Sequence, residues 1–264
     1  MQEVAQRLRF IIGHQRPSFN IWDGWKFVTF EARSDSDFIL EPEWKSNDEL
    51  TDTLLGEYYF LFCLSKELKK RAIVCQRITI SQYRRFVSNK VFGNVALNQS
   101  WTRTITPELA EVLNINSLVE HPGSDFLIST IGSCDSILNQ FSDHHSMRDI
   151  LRFASDLVDA DVLNNEQVKE MIFQNCFIPA PSNGTFPLAT FLEINRKLEE
   201  ATNVFFRNGY VPRGGYQRRV IGFCLERLNS YLLMKELQDH GVNPLSVMGQ
   251  QITVSENDSV TVTV

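Results

Sequence analysis

Short apolar runs alternate with longer stretches of helical periodicity along this chain. Arg9-Phe-Ile-Ile-Gly13 reads as a buried strand closed by a glycine, and His14-Gln-Arg-Pro17 after it reads as a loop. Trp25 to Phe30 is rich in β-formers, whereas Glu31 to Lys45 is polar and reads as loop. Ser46-Asn-Asp-Glu49 has the spacing of a capping box and predicts a helix from there to about Lys70. Leu54, Tyr58, Leu61 and Leu68 fall near one face of it. Leu55, Tyr59, Phe62 and Leu64 widen the stripe, so this helix is expected to pack on two sides.

Arg77-Ile-Thr-Ile80 is the next strand, followed at once by Ser81 to Phe86. Thr106-Pro-Glu108 marks a helix start, with Thr as cap and Pro in the first turn. Asp125 to Ile128 reads as a short strand after the turn at Pro122-Gly123. Further helices are predicted over 143–158, 165–174, 185–201 and 216–240, the last stopped by Gly241. Residues 252–264 alternate at period two and read as a hairpin or an extended arm outside the main domain. The division that follows is one domain over 1–245 and an extended tail over 246–264. Strands separated by helices predict an α/β domain with a mostly parallel sheet and a long C-terminal helix. Such sheets bind ligands beyond the carboxyl ends of their strands, which selects the loops Gly13 to Pro17 and Ser81 to Asn89.

Composition narrows the function. The 264 residues carry a net charge of −6, which argues against a general nucleic-acid binder but leaves room for a local cationic pocket. No apolar run is long enough to span a membrane, and the first residues lack a secretory apolar core, so a cytoplasmic protein is expected. The five cysteines include no Cys-x-x-Cys and are expected to be reduced thiols.

Four groups of residues could carry chemistry. Gln82-Tyr83-Arg84-Arg85-Phe86 puts two guanidinium groups and an aromatic ring at a strand end, which suits a nucleotide diphosphate. The competing reading is an arginine pair bonded to carboxylates. Arg219, Gly222 and Glu226 share one face of the last helix. There Glu226 could bind sugar hydroxyls, take a proton, or form an internal ion pair. His145 and Asp149 are four apart and would share a helical face as base and orienter, as metal ligands, or as a surface pair. Two Asp-x-Asp strings, at Asp35–Asp37 and Asp159–Asp161, follow no convincing strand and read as solvated surface. No GxGxxG, P-loop, GxSxG or HExxH is present.

Taken in order, these segments resemble a family of bacterial capsular-polysaccharide glycosyltransferases, galactosyltransferase-like, with a GT-A-like fold. The resemblance rests on Ile11-Ile-Gly-His-Gln-Arg-Pro17, the aromatic-rich Gly56-Glu-Tyr-Tyr-Phe-Leu-Phe62, Gln82-Tyr83-Arg84-Arg85-Phe86, and Asp143 to Asp149. Its last element is Arg219-x-x-Gly222-Phe223-x-x-Glu226-Arg227-Leu228. It covers residues 8 to 236, and the family's His before Tyr-Arg-Arg is Gln82 here. The resemblance implies a GT-A-like Rossmann-type domain acting as a nucleotide-sugar-dependent hexosyltransferase. The donor would be a UDP-sugar and the acceptor a hydroxyl of a glycan or lipid-linked glycan in surface-polysaccharide synthesis. Gly13, His14, Gln82 and Tyr83 would receive the donor, and Arg84, Arg85 and Arg219 would neutralise its diphosphate. Asp149, oriented by His145, would be the general base, with Glu226 as its rival. A divalent cation, Mn²⁺ or Mg²⁺, is left open. A lipid-linked acceptor would bring the protein to a membrane surface, although no basic amphipathic helix argues for that. The alternative is a catalytically reduced relative that binds nucleotide or glycan.

Overall fold

The first apolar run forms the strand β1 (Arg7–Ile12). Phe10 and Ile12 enter one core and Ile11 the other, so β1 is buried on both faces, as an inner parallel strand must be. The computed structural model describes residues 7–31, 37–41, 52–96, 99–209 and 213–256. Strands β2 (Lys26–Thr29) and β3 (Asp37–Ile39) extend the sheet in parallel on one side of β1, and β4 (Arg77–Gln82) on the other. Two helical pieces, α1 (Asp52–Leu55) and α2 (Glu57–Lys70), lie between β3 and β4 in the chain.

β5 (Arg85–Ser88) turns back from β4 through Tyr83 and Arg84. Then come β6 (Asn94–Ala96), β7 (Gln99–Ile105), α3 (Pro107–Val112), α4 (Ile115–Leu118), β8 (Leu127–Ile128) and β9 (Gly132–Ser133). The helices α5 (Ile137–Ser142), α6 (Met147–Asp159) and α7 (Asn165–Phe173) lead to β10 (Cys176–Phe177) and β11 (Gly184–Pro187). α8 (Leu188–Arg207), α9 (Val220–Asp239) and β12 (Gln250–Val254) complete the described elements. The main sheet runs β3-β2-β1-β4-β5-β12-β7-β6, with β11 antiparallel to β4 and β8. It is an α/β sheet of mixed direction flanked by helices. A core shared with α2, α8 and α9 covers one face. Trp22, Trp25, Phe86 and Ile252 fill the other.

Several expected elements hold. Thr106 caps α3 by accepting from the Leu109 N–H, with Pro107 in the first turn. Every residue of α2 from Tyr58 to Ser65 is buried, the two-sided packing read from its wide stripe. α9 is 20 residues long, and Gly241 past its end adopts φ 65°, open to glycine without strain.

Others are corrected. The helix expected over 46–70 is two pieces, broken at Gly56 (φ 59°), and its proposed cap at Ser46 lies outside the described residues. The helix expected from Asp143 starts at Met147, and residues 143–146 connect it to α5. Thr185 and Phe186 are strand rather than helix, because they pair with Thr79 and Ile78 of β4. The last helix begins with a tight turn over Gly215–Arg219 before α9. The loop expected over 81–89 is a hairpin turn into β5.

The tail is the largest correction. Residues 250–254 are not an arm but the inner strand β12, antiparallel to β5 and parallel to β7. Its alternation separates two buried faces: Ile252 and Val254 join the core with Trp22 and Phe86, and Gln251 and Thr253, equally buried, face the other way. Residues 257–264 lie outside the described residues.

Candidate active site

A cleft of about 490 Å³ opens where β1 and β4 end, at the two loops that the strand-end rule selects. Gly13, His14, Gln82, Tyr83, Arg84 and Arg85 line it from the sheet side. Arg219, Gly222, Phe223, Glu226 and Arg227 line it from α9 and the turn before it. The structure thus brings together residues more than 200 positions apart in sequence.

The sheet side is built by a close fit. A Cβ on Gly13 would stand 2.6 Å from Cδ1 of Tyr83, so only glycine lets that ring lie against the end of β1. The Tyr83 N–H donates to the Ile12 carbonyl at 2.8 Å and fixes the hairpin turn. The Arg84 guanidinium is exposed and stands 5.4 Å from the Tyr83 ring centre. Arg85 opens β5, and its buried Nε has no hydrogen-bond partner. Burial, and secondarily Arg84, disfavour its charge, while Glu57 and Glu226 partly offset that. Among the described residues Arg84, Arg85 and Arg219 form no ion pair. The competing reading of an arginine pair locked by carboxylates does not describe this hairpin.

Two helices start at the cleft. α2 begins immediately after Gly56, where a Cβ would lie 2.5 Å from Nη2 of Arg219. α9 begins after Arg219 itself, and Gly222 brings it to within 3.3 Å, Cβ to oxygen, of the Leu54 carbonyl. The helix glycine therefore has a packing reason, a close approach to α1. Both helix N-termini contribute partial positive charge to the same space.

Glu57 and Glu226 meet these cations, and both are anchored on one short stretch. The Ser182 hydroxyl donates to Glu57 Oε1 at 3.0 Å, and the Ala180 N–H donates to Glu226 Oε1 at 3.1 Å. Ala180 holds φ 48°, a left-handed conformation that costs a non-glycine residue about 1 kcal/mol or more. Burial, then the neighbouring Glu226, raise the Glu57 carboxyl above the usual range, against Ser182, Arg219 and Arg85. Glu226 Oε2 pairs with Arg227 Nη1 at 2.7 Å. Arg227 also donates through Nε and Nη2 to Gln140 Oε1, at 3.1 and 2.8 Å. Arg227 is thus a structural cation at the cleft floor.

His145 lines the cleft too, with its ring stacked 4.1 Å from that of Phe223. Its Nδ1 lies 3.3 Å from Gln217 Oε1. Burial and Arg227 hold its pKa below the usual value, so it is neutral at pH 7. Asp149 is the site residue that geometry does not deliver. It sits in the first turn of α6, 2.6 Å from Arg213 Nη2, and does not line the cleft. His145 precedes that helix, so the two never share its face. A base role for Asp149, oriented by His145, has no geometric support.

The Asp-x-Asp strings are equally remote. Asp35 lies outside the described residues, Asp37 pairs with Arg16, and Asp159 and Asp161 sit at the end of α6. No cluster of three His, Cys, Asp or Glu side chains suited to a metal exists among the described residues. Within the cleft Glu226 is taken by Arg227, which leaves Glu57 as the one cleft carboxylate without a cationic partner among the described residues, too few donors to fit a divalent cation.

Sequence reasoning missed Glu57, Gln140 and Trp101, which also line the cleft. Only Glu57 left a signal, a carboxylate directly after a glycine and directly before the apolar run Tyr58–Leu64.

Among solved structures the chain is similar to WbbM, a bifunctional glycosyltransferase in its apo form. The TM-score is 0.67 at 15% identity, over 95% of this chain and 46% of that one. The fold is a glycosyltransferase fold. The chain spans about half the length of that protein. No protein-family model matches the sequence, and no curated protein does. The glycosyltransferase fold agrees with the architecture expected from the sequence resemblance. No helix among the described residues is long and apolar enough to cross a membrane.

Proposed function

We propose that this protein transfers a sugar from a nucleoside-diphosphate sugar, a UDP-sugar first among them, to a hydroxyl of a glycan acceptor. One observation carries the reading. Among the described residues Arg84, Arg85 and Arg219 converge without ion pairs on a cleft at the strand ends, beside the N-termini of two helices. Three cations only partly offset by Glu57 and Glu226 call for an anionic ligand, and a diphosphate matches both their charge and their forked geometry.

In this reading Gly13, His14, Gln82 and Tyr83 receive the nucleotide. As the bond from sugar to diphosphate breaks, negative charge grows on the leaving group. Arg84, Arg85 and Arg219 stabilise it there, and each such donor is worth about 3 kcal/mol of barrier. Glu226, fixed by Ala180 and Arg227, holds a hydroxyl, and neutral His145 offers a further hydrogen bond to the acceptor. The arginines supply the neutralisation that a divalent cation supplies elsewhere, and no step runs through a metal. The sequence resemblance supports a surface polysaccharide as the product. A lipid-linked acceptor would place the protein at a membrane surface.

Calorimetry with UDP tests the reading. Wild type should bind, and Arg84→Ala/Arg85→Ala should weaken binding at least 100-fold, whereas equal affinity would remove the phosphate role. UDP binding without turnover of any UDP-hexose would favour the non-catalytic module, the reading that Gln82 in place of the resembled family's His supports.

A further inference from the structure

We infer that Glu57 is the catalytic base of this cleft, the group that takes the acceptor's proton. The inference rests on the glycosyl-transfer reading and adds a residue to it. Three carboxylates stand at or near the cleft, and two of them are engaged. Asp149 is held by Arg213 outside the cleft. Glu226 has one oxygen on the Ala180 N–H and the other on Arg227. His145 has Nδ1 at Gln217 and a ring face covered by Phe223, so only its Nε2 is left as a rival to Glu57. Glu57 accepts one bond, from the neutral Ser182 hydroxyl to Oε1, and its Oε2 takes no hydrogen bond or ion pair among the described residues.

Its position in the contact chain suits the role. Gly56 touches Arg219, so Glu57 follows the residue against which a phosphate-facing guanidinium rests. Ser182 and Ala180 hold it beside Glu226. Glu57 therefore neighbours both Arg219 and Arg85, assigned to the leaving group, and Glu226, assigned to a hydroxyl. The step balances as follows. The acceptor oxygen forms a bond to the anomeric carbon, and its proton passes to Glu57 Oε2. The carbon–oxygen bond to the diphosphate breaks, and its electron pair leaves with the nucleoside diphosphate. Burial that raises the carboxyl makes it a stronger base, provided the solution pH stays above its pKa.

Donor hydrolysis supplies a test that needs no known acceptor, because water also brings a proton. UDP-glucose, UDP-galactose and their N-acetylhexosamine counterparts serve as donors, with water or sodium azide as the nucleophile. Azide carries no proton and needs no base. Glu57→Gln should lose at least about 100-fold in hydrolysis while azide transfer stays within about fivefold of wild type. A merely structural role would lower both together, and that result overturns the inference. So does hydrolysis at the wild-type rate.

The pH profile is the second readout and does not depend on Glu57→Gln folding. The groups facing Glu57 are Glu226, Arg219, Arg85, Ser182 and Tyr58. Activity should fall as pH drops through the raised carboxyl pKa. Ser182→Ala removes a bond that favours the carboxylate and should move that acid limb to higher pH. Glu226→Gln removes a repelling charge and should move it to lower pH. A limb that shifts in neither variant refutes the assignment. Wild type that neither binds UDP nor hydrolyses any donor refutes the glycosyl-transfer reading instead.

Discussion

Replacing Arg85 by Met should make the protein more stable and less able to bind UDP. The argument starts from the guanidinium's surroundings. Its Nε is buried without a partner, and no carboxylate pairs with it. The net effect of burial, Arg84, Glu57 and Glu226 disfavours the charged form. An unsatisfied buried polar group costs about 1–3 kcal/mol. Attraction to Glu57 and Glu226 returns part of that, so the gain on removing the charge is set at about 1 kcal/mol. For a domain of this size that raises Tm by about 2–4 °C. Methionine keeps the length of the aliphatic stem, so little packing is lost. The ligand side runs the other way. A hydrogen bond to a charged group contributes about 1.5–3 kcal/mol, so losing it weakens UDP about 10- to 150-fold. Differential scanning calorimetry and titration calorimetry on the same preparation read both changes. A fall in Tm would show that Arg85 is a structural cation, and unchanged UDP affinity would show that no phosphate reaches it.

Three further outcomes follow from the same geometry. Gly56→Ala should cost about 1–3 kcal/mol, because φ 59° with ψ −131° is a backbone conformation almost confined to glycine; its Cβ, 2.5 Å from Arg219 Nη2, should also weaken UDP binding, measured by calorimetry. Arg227→Met should destabilise by about 2–3 kcal/mol, below the value for a fully buried pair because the Glu226 side chain is 29% exposed; urea denaturation reads it, and a change under 0.5 kcal/mol would refute the ion pair as a fixture of the cleft floor. EDTA should leave donor hydrolysis within twofold, and a tenfold loss rescued by Mn²⁺ would show that the arginines do not supply the neutralisation.

What the sequence disclosed depended on whether a signal was local. The strand ending in Gly13, the cap at Thr106 and the stop at Gly241 each use chemistry within a few residues, and each appears as read. The pairing of Arg84 and Arg85 with Arg219 was legible because each group already looked costly or special by itself. Strands that depend on partners were not legible. Thr185-Phe186 continues smoothly into α8 in pattern, and only the ladder to β4 makes it strand. β12 shows its period but not its neighbours, since β5 and β7 lie about 150 residues earlier. Asp149 failed for a related reason. Its four-residue spacing from His145 carries meaning only on a continuous helix, and α6 starts between them.

The glycines tie these levels together. Gly13, Gly56 and Gly222 lie in three different segments, yet a Cβ on the first two would press on Tyr83 and Arg219, which line the cleft, and one on Gly222 on the Leu54 carbonyl, next to the lining residue Leu55. Gly13 and Gly56 are needed where a side chain of the proposed phosphate site rests on backbone, and Gly222 where two helices close the back of that site. A glycine inside a helix costs about 1 kcal/mol, and two turns with tight contacts add constraints that an ordinary fold would shed. Their common location argues that the cleft, rather than the sheet alone, is what this chain is built to hold in shape. An anion-binding site made of guanidiniums without ion pairs among the described residues needs that rigidity, because burial and repulsion from Arg84 would otherwise drive Arg85 out into solvent before a ligand arrives.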